Sequence, residues 1–220
     1  MDVKIDIQLK ARFPGLKVLA CEIKGVKVEK HNVELEKFED EIMKHARERY
    51  DLESLKDGLT FRAYRDFFWK IGIDPTKIRP AAEALIRRVL GGKTIPHINT
   101  LVDAYNLASI KTEIALAAFD ADKLKGELIM RFAEKGEEFL GIGMEKPMLL
   151  KGGEIVVSDG EKLVAIYPYR DADDTKITEK TKNVMLLVCG VPGIGEEALQ
   201  NAARAALEHI LRFCNGEGKM

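Results

Sequence analysis

INTLVDAYNLASIKT, residues 98–112, is the stretch from which the fold is read. Asn99, Asp103 and Asn106 stand at i, i+4 and i+7, which sets three polar side chains on one face of a helix running from Asn99 to Thr112. Leu101, Val102 and Tyr105 flank that row, so the helix is expected to pack on both sides and to carry its polar stripe into a cleft or an internal network. Two roles are open to the stripe. Thr100 and Asp103 resemble a helix-capping pair, with Asn99 free to bond a neighbouring loop. Alternatively, the row presents donors and acceptors to a ligand.

Outward from this helix the pattern changes in both directions. Val3, Ile5, Ile7 and Leu9 alternate with polar residues, and Val18 to Ile23 and Val26 to Val28 follow a Phe13-Pro14-Gly15 turn, so strands are expected over residues 3–28. Leu35, Phe38, Ile42 and Ala46 then recur at helical spacing, as do Phe61, Tyr64, Phe68 and Ile71 before Gly72. Pro80 suits a first helical position, and Ala82, Leu85, Ile86, Val89 and Leu90 form a buried face that Gly91-Gly92 ends. Downstream, residues 128–132, 139–142, 154–158, 163–167 and 184–191 read as strands separated by glycine and aspartate turns. Leu199, Ala203, Ala206, Leu207, Ile210 and Cys214 give the core face of a closing helix. The expected class is α+β (mixed α/β), with a central, mostly antiparallel sheet flanked by helices. No repeat, low-complexity tract or long linker divides residues 1–220, so a single domain is expected.

Composition narrows the function. With 220 residues and 46% hydrophobic side chains, the chain can bury a full core without staples. Lysine and arginine number 35 against 36 acidic residues, so no global attraction to nucleic acid or membrane exists and any RNA contact must be a local patch. Cys21, Cys189 and Cys214 sit among apolar neighbours and are expected as buried free thiols. His31, His45, His97 and His209 lack metal-ligand spacing, so neither a metal nor a cofactor is expected. An opening Met1-Asp2-Val3-Lys4 and the lack of an apolar run of membrane-spanning length imply a cytoplasmic protein that does not insert into a membrane.

Three further groupings bear on chemistry. Arg79, Arg87, Arg88 and Lys93 lie off the apolar face of their helix, either as a solvated surface on which Glu83 pairs with Arg87 for ~0.2–0.5 kcal/mol, or as a phosphate-contacting patch. The stretch RDADDTKITEKT, residues 170–181, offers carboxylates and hydroxyls on a loop between strands, with Asp174 and Thr175 at its centre. Gly193-Ile-Gly195-Glu-Glu-Ala198 imitates a dinucleotide-binding turn, but Glu196 and Glu197 would meet the pyrophosphate with like charge, and no strand follows to complete the βαβ unit. No nucleophile elbow or Walker phosphate loop is present.

A set of collinear segments resembles the B3/B4 region of the phenylalanyl-tRNA synthetase beta subunit. Pro14 and the Gly25-Val-Lys-Val28 segment open the match. Ile98-Asn99, Leu101-Val102-Asp103 and Asn106 resemble the family's Pro-Ile-Asn-x-Val-Val-Asp-x-Thr-Asn helix, and Phe119-Asp120-x-Asp122-Lys123-Leu124 resembles its Phe-Asp-x-Asp-Arg-Leu segment. Arg131, Ala133, Gly136-Glu137 and then Glu179-x-Thr181-x-Asn183-Val184 continue the series. Residues 30–93 look like the helical insertion of freestanding B3/B4 proteins.

The resemblance implies binding of tRNA or aminoacyl-tRNA and hydrolysis of a wrongly attached amino acid, without an aminoacylation core. It suggests Asn99, Asp103, Asn106 and Asp120 as the groups that position and orient a water, and Arg79, Arg87, Arg88 and Lys93 as phosphate contacts. Charge reversal at Arg87 and Arg88 is accordingly expected to weaken RNA binding without unfolding the chain. Ala117, Ala118, Asp174, Thr175, Leu187 and Val188 are the expected pocket. Two departures matter. The family's editing histidine falls at Ala117 and its glutamate near Leu187 or Val188, so catalysis by the same groups is excluded and the amino acid removed is expected to differ from tyrosine. A non-catalytic module that binds RNA or a small amino-acid-like ligand and has lost editing activity is the alternative.

Overall fold

A computed structural model describes residues 3–219. The chain enters through a two-residue strand β1 (Lys4–Ile5) and then turns into helix α1 (Ile7–Arg12). The alternation over residues 3–9 was expected to be one strand, but the Asp6 carboxylate accepts from Gln8 N at 2.8 Å and caps a helix instead. Strand β2 (Val18–Lys24) follows. Gly25 then adopts a positive φ of 69°, which turns Val26–Val28 off the sheet, so no strand forms there.

Residues 33–90 are helical. They comprise α2 (Val33–Arg49), a short 3-10 turn, α3 (Leu59–Lys70) and α4 (Ala81–Leu90). Helix α5 (Thr100–Thr112) is the buried stretch quoted above, with Leu101, Ala104, Leu107, Ala108 and Ile110 all inside. A strand that the apolar alternation did not signal comes next: β3 (Ala115–Asp120), whose alanines have poor strand propensity but whose six residues are all buried. The strand-rich half then runs through β4 (Ile129–Phe132), β5 (Glu138–Phe139), β6 (Met148–Leu149), β7 (Ile155–Ser158), β8 (Leu163–Ile166), β9 (Arg170–Asp171) and β10 (Asn183–Cys189), and closes with α6 (Glu196–Cys214) and β11 (Glu217–Lys219). The sequence predicts no strand after the closing helix; β11 is one, but it pairs antiparallel with β2 and so completes no βαβ unit.

The class is α+β, as expected, but the strands divide between two main sheets and a ribbon. One sheet has the order β11-β2-β10-β3 and is antiparallel throughout, with Leu187 opposite Ala117 and Leu186 opposite Ala118. The other has the order β1-β4-β7-β8-β9, parallel only between β1 and β4. Strands β5 and β6 pair as a separate ribbon. Helix α6 covers one face of the first sheet and packs beside α5, where Ala104 O lies 3.2 Å from His209 Nδ1. Tyr64 of α3 and Tyr167, which follows β8, bind the end of β10 by donating to the carbonyls of Cys189 and Gly190, each at 2.5 Å. The second sheet and the α4 end of the helical half thereby face the uncovered side of β3 and β10, and a hollow remains between them.

Candidate functional site

The hollow has a volume of about 190 Å³. Its floor comes from strand alternation: Ala117 and Phe119 of β3, with Leu187 and Cys189 of β10, point into it from one face of the first sheet. Val157, Ala165 and Ile166 of the second sheet form the opposing wall. Because β3 is an edge strand, α5 meets the hollow beside it and contributes Tyr105 and Asn106. Tyr169, Arg170 and Asp171 complete the lining.

Asp171 is the acidic group of this cavity. Its main chain is fixed on both sides, through the β9 pairing opposite Ala165 and through its carbonyl, which accepts from Ile142 N at 2.9 Å. The residue keeps partial solvent access through the hollow, yet protein surrounds its carboxyl and burial pushes its pKa up to about 7. Burial also raises the Tyr105 hydroxyl and the Cys189 thiol far above their ordinary ranges, and the Asp171 carboxylate adds to both. Cys189 is therefore held as a thiol and is no nucleophile. The hydrocarbon stem of Arg170 crosses Gly141, where a Cβ would lie only 2.5 Å from Arg170 Cδ, so the missing side chain at 141 makes room for it beside Phe139, on the face of the second sheet opposite Asp171.

The proposed residues separate into distinct places. Asn106, Ala117 and Leu187 line the cavity together. Asn99 and Asp103 lie at the other end of α5 and serve its first turn: Asn99 Oδ1 accepts from Val102 N at 3.0 Å, and Asp103 Oδ1 accepts from Ile98 N at 3.0 Å. Both are buried, and Asp103 has its pKa raised by burial beside His97 and Glu39. Asp120 is buried at the far end of β3, accepting from Thr181 Oγ1 at 2.8 Å. Ala118 and Val188 are buried away from the cavity lining, on the face turned to α6. Asp174 is exposed, pairs with Lys162, and borders a second hollow with Phe139 and Leu163. Thr175 is fully buried next to it. Arg79, Arg88 and Lys93 are exposed, whereas Arg87 is half-buried and bonded to Glu83.

Tyr105 and Arg170 are not among the expected site residues, and Asp171 is expected only as the first member of the polar cluster 171–181, of which Asp174 and Thr175 are the named pocket residues. Asp171 sits at the edge of the polar stretch 170–181, and its signal was available: the polar loop begins in a strand, and a carboxylate there faces inward or outward by alternation alone. Among the described residues no group of His, Cys, Asp and Glu is arranged to hold a metal ion, and no helix is long and apolar enough to cross a membrane.

Residues 63–215 match the B3/4 domain family. The chain belongs to that family. The B3/4 match takes in the cavity entire, from Ala81 to Cys189. Among its relatives are phenylalanine–tRNA ligase beta subunits: that of Fusobacterium nucleatum subsp. nucleatum is 37% identical over 92 residues, 41% of this chain and 11% of that subunit. The Thermotoga maritima subunit is 29% identical over 119 residues, 54% of this chain and 15% of the subunit. This B3/4 protein thus corresponds to a small part of those relatives. An N-terminal fragment of the phenylalanyl-tRNA synthetase beta-subunit from Pyrococcus horikoshii has the same fold, with a TM-score of 0.54 at 15% identity, covering 99% of this chain and 50% of that one.

Proposed function

We propose that this B3/4 protein is a trans-acting, cytoplasmic editing factor that takes the aminoacyl end of tRNA into the cavity between the two sheets and hydrolyses the ester of a wrongly attached amino acid. The observation that supports it is the meeting of Asn106 with Ala117 and Leu187 around one hollow, since these three come from the segments that resemble the synthetase editing region. The relatives named as phenylalanine–tRNA ligase beta subunits favour tRNA as the partner. On the same reading residues 30–93 are the insertion of a freestanding member.

The chemistry needs no protein nucleophile. Water adds to the ester carbonyl carbon, the carbon–oxygen bond to the ribose breaks, and the ribose oxygen leaves with a proton. Asn106 can donate through its amide to the oxygen on which charge develops, and the walls exclude competing water. On this reading Arg79, exposed two residues before Ala81 of the cavity lining, is a candidate contact for backbone phosphates. Arg88 and Lys93 lie at the far end of α4, about 10 Å along its axis from Ala81.

Release of amino acids from a panel of mischarged tRNAs tests the reading. Turnover by the wild type that falls in Asn106→Ala is the expected result; no turnover on any charged tRNA overturns it. Ala117 and Leu187 give a specific reason to keep a binding-only module as the second reading, because both face the cavity with hydrocarbon where the resemblance expects an imidazole and a carboxylate. Binding of tRNA that weakens steeply with salt, without hydrolysis, would identify that module.

A further inference from the structure

Asp171 brings a carboxyl to a largely apolar cavity in which nothing answers its charge. Burial is the cause acting on it, with neither a hydrogen bond nor a cation among the described residues to favour the ionised form. Arg170, its neighbour in the chain, is exposed, packs over Gly141 on the opposite face of the sheet, and makes no ion pair with it among the described residues. The groups that face it are Tyr105 from α5 and Cys189 from β10, with Tyr167 and Tyr169 also in the lining, and none of these is a cation. Beyond the water admitted through the hollow, a carboxylate in such a place is stabilised by a donor or cation that enters from outside.

We infer that the cavity recognises a primary ammonium group, which Asp171 binds while Ala117, Phe119 and Leu187 take the attached hydrocarbon. A primary ammonium has three donors and no acceptor, and the Asn106 amide oxygen and the Tyr105 hydroxyl oxygen are two further acceptors on the same lining. A metal ion fits less well, since Asp171 is the single carboxylate of the lining. The inference rests on the cavity being the seat of the aminoacyl end, and it specifies what is read there: the free α-ammonium of a single amino acid. N-acylated and peptidyl esters, which lack that charge, are then rejected at the same site.

The test titrates the full chain with glycinamide, alaninamide, leucinamide and phenylalaninamide, each paired with its N-acetyl derivative, by calorimetry and by NMR. At least one free amide is expected to bind, its N-acetyl partner not, and Asp171→Asn to weaken the free amide roughly tenfold or more. Just below pH 7 the binding should also release a proton, because the ammonium draws Asp171 from its acid to its carboxylate form; the calorimetric heat then depends on the buffer's ionisation enthalpy. Equal binding of free and acetylated amides, unchanged affinity in Asp171→Asn, or no binding of any amide overturns the inference. Charged tRNA separates it from the hydrolytic reading. Equal deacylation of free and N-acetylated aminoacyl-tRNA sinks ammonium recognition and leaves hydrolysis standing. Amide binding through Asp171 without hydrolysis of any charged tRNA does the reverse.

Discussion

Arg87 Nε lies 2.7 Å from Glu83 Oε1, and the Glu83 side chain is wholly buried, with Arg65 Nη1 3.0 Å from the same oxygen and 3.2 Å from Oε2. The i,i+4 spacing on α4 is therefore no solvated surface pair worth a few tenths of a kcal/mol. It is part of a triad that joins α3 to α4, and Arg87 also donates to the Leu52 carbonyl at 3.2 Å. Charge reversal at Arg87 and at Arg88 consequently has different outcomes. Arg87→Glu sets two carboxylates together in the interior and is expected to cost about 3–5 kcal/mol in chemical denaturation. Arg88→Glu removes an exposed residue whose recorded partner is the Thr94 carbonyl and should cost under about 1 kcal/mol. A phosphate contact is thus tested at Arg88, Arg79 or Lys93, where lost RNA affinity can be separated from lost fold.

The wall of the cavity depends on a buried phenol. Tyr64 Oη donates to Cys189 O at 2.5 Å and accepts from Ala115 N at 3.1 Å, two residues that are themselves paired across β10 and β3. Tyr64→Phe keeps the ring and removes both bonds. Unfolding by denaturant should show a loss of about 1–3 kcal/mol with an unchanged slope, as expected when buried polar groups are left unmatched. A variant as stable as the wild type would mean that water or a backbone shift replaces the hydroxyl.

Helical segments were legible because their apolar spacing is long and regular: the stripes through Leu35 to Ala46 and through Ala82 to Leu90 appear as α2 and α4. The short elements were not. Alternation over Val3 to Leu9 competes with Asp6 as a cap, and the cap wins because only Leu9 of α1 needs burial. Strand β3 escaped notice because Ala115, Ala117 and Ala118 carry no strand preference; its neighbours β10 and α5 make it a strand. For the site, helical periodicity sets Asn99, Asp103 and Asn106 on one face, but the rise from Asn99 to Asn106 is about 10 Å, so one face serves two places. Its start is a cap and its middle reaches the cavity. No local signal distinguishes these, since the start and the middle show the same polar residue types.

That division can be measured. Asn99→Ala deletes the side chain that accepts from Val102 N and should cost about 0.5–2 kcal/mol of stability. Asn106 is partly exposed to the cavity, and Asn106→Ala should leave stability within about 0.5 kcal/mol. Activity is expected to divide the other way. The folded fraction of Asn99→Ala keeps its turnover of charged tRNA per molecule, and Asn106→Ala loses it. Equal loss of turnover in both variants at a temperature where both are folded would return Asn99 to the site.

The Asp171 carboxyl predicts a pH dependence whose sign is fixed. Its ordinary pKa is 3.8, and burial in the folded chain moves it to about 7, so the folded state holds a proton that the unfolded state has already released between those values. Stability therefore falls as pH rises from 3.8 toward 7 and levels off above it. Glu39 and Asp103 are also raised by burial and act in the same direction, so the wild-type profile alone does not isolate Asp171. Its difference from Asp171→Asn does, because the other groups cancel. The variant should gain stability over the wild type on going from about pH 5 to about pH 8. Denaturation curves at the two pH values give the comparison. A gap that stays constant would mean that Asp171 titrates alike in the folded and unfolded chain, and the cavity would then hold an ordinary, well-solvated carboxylate.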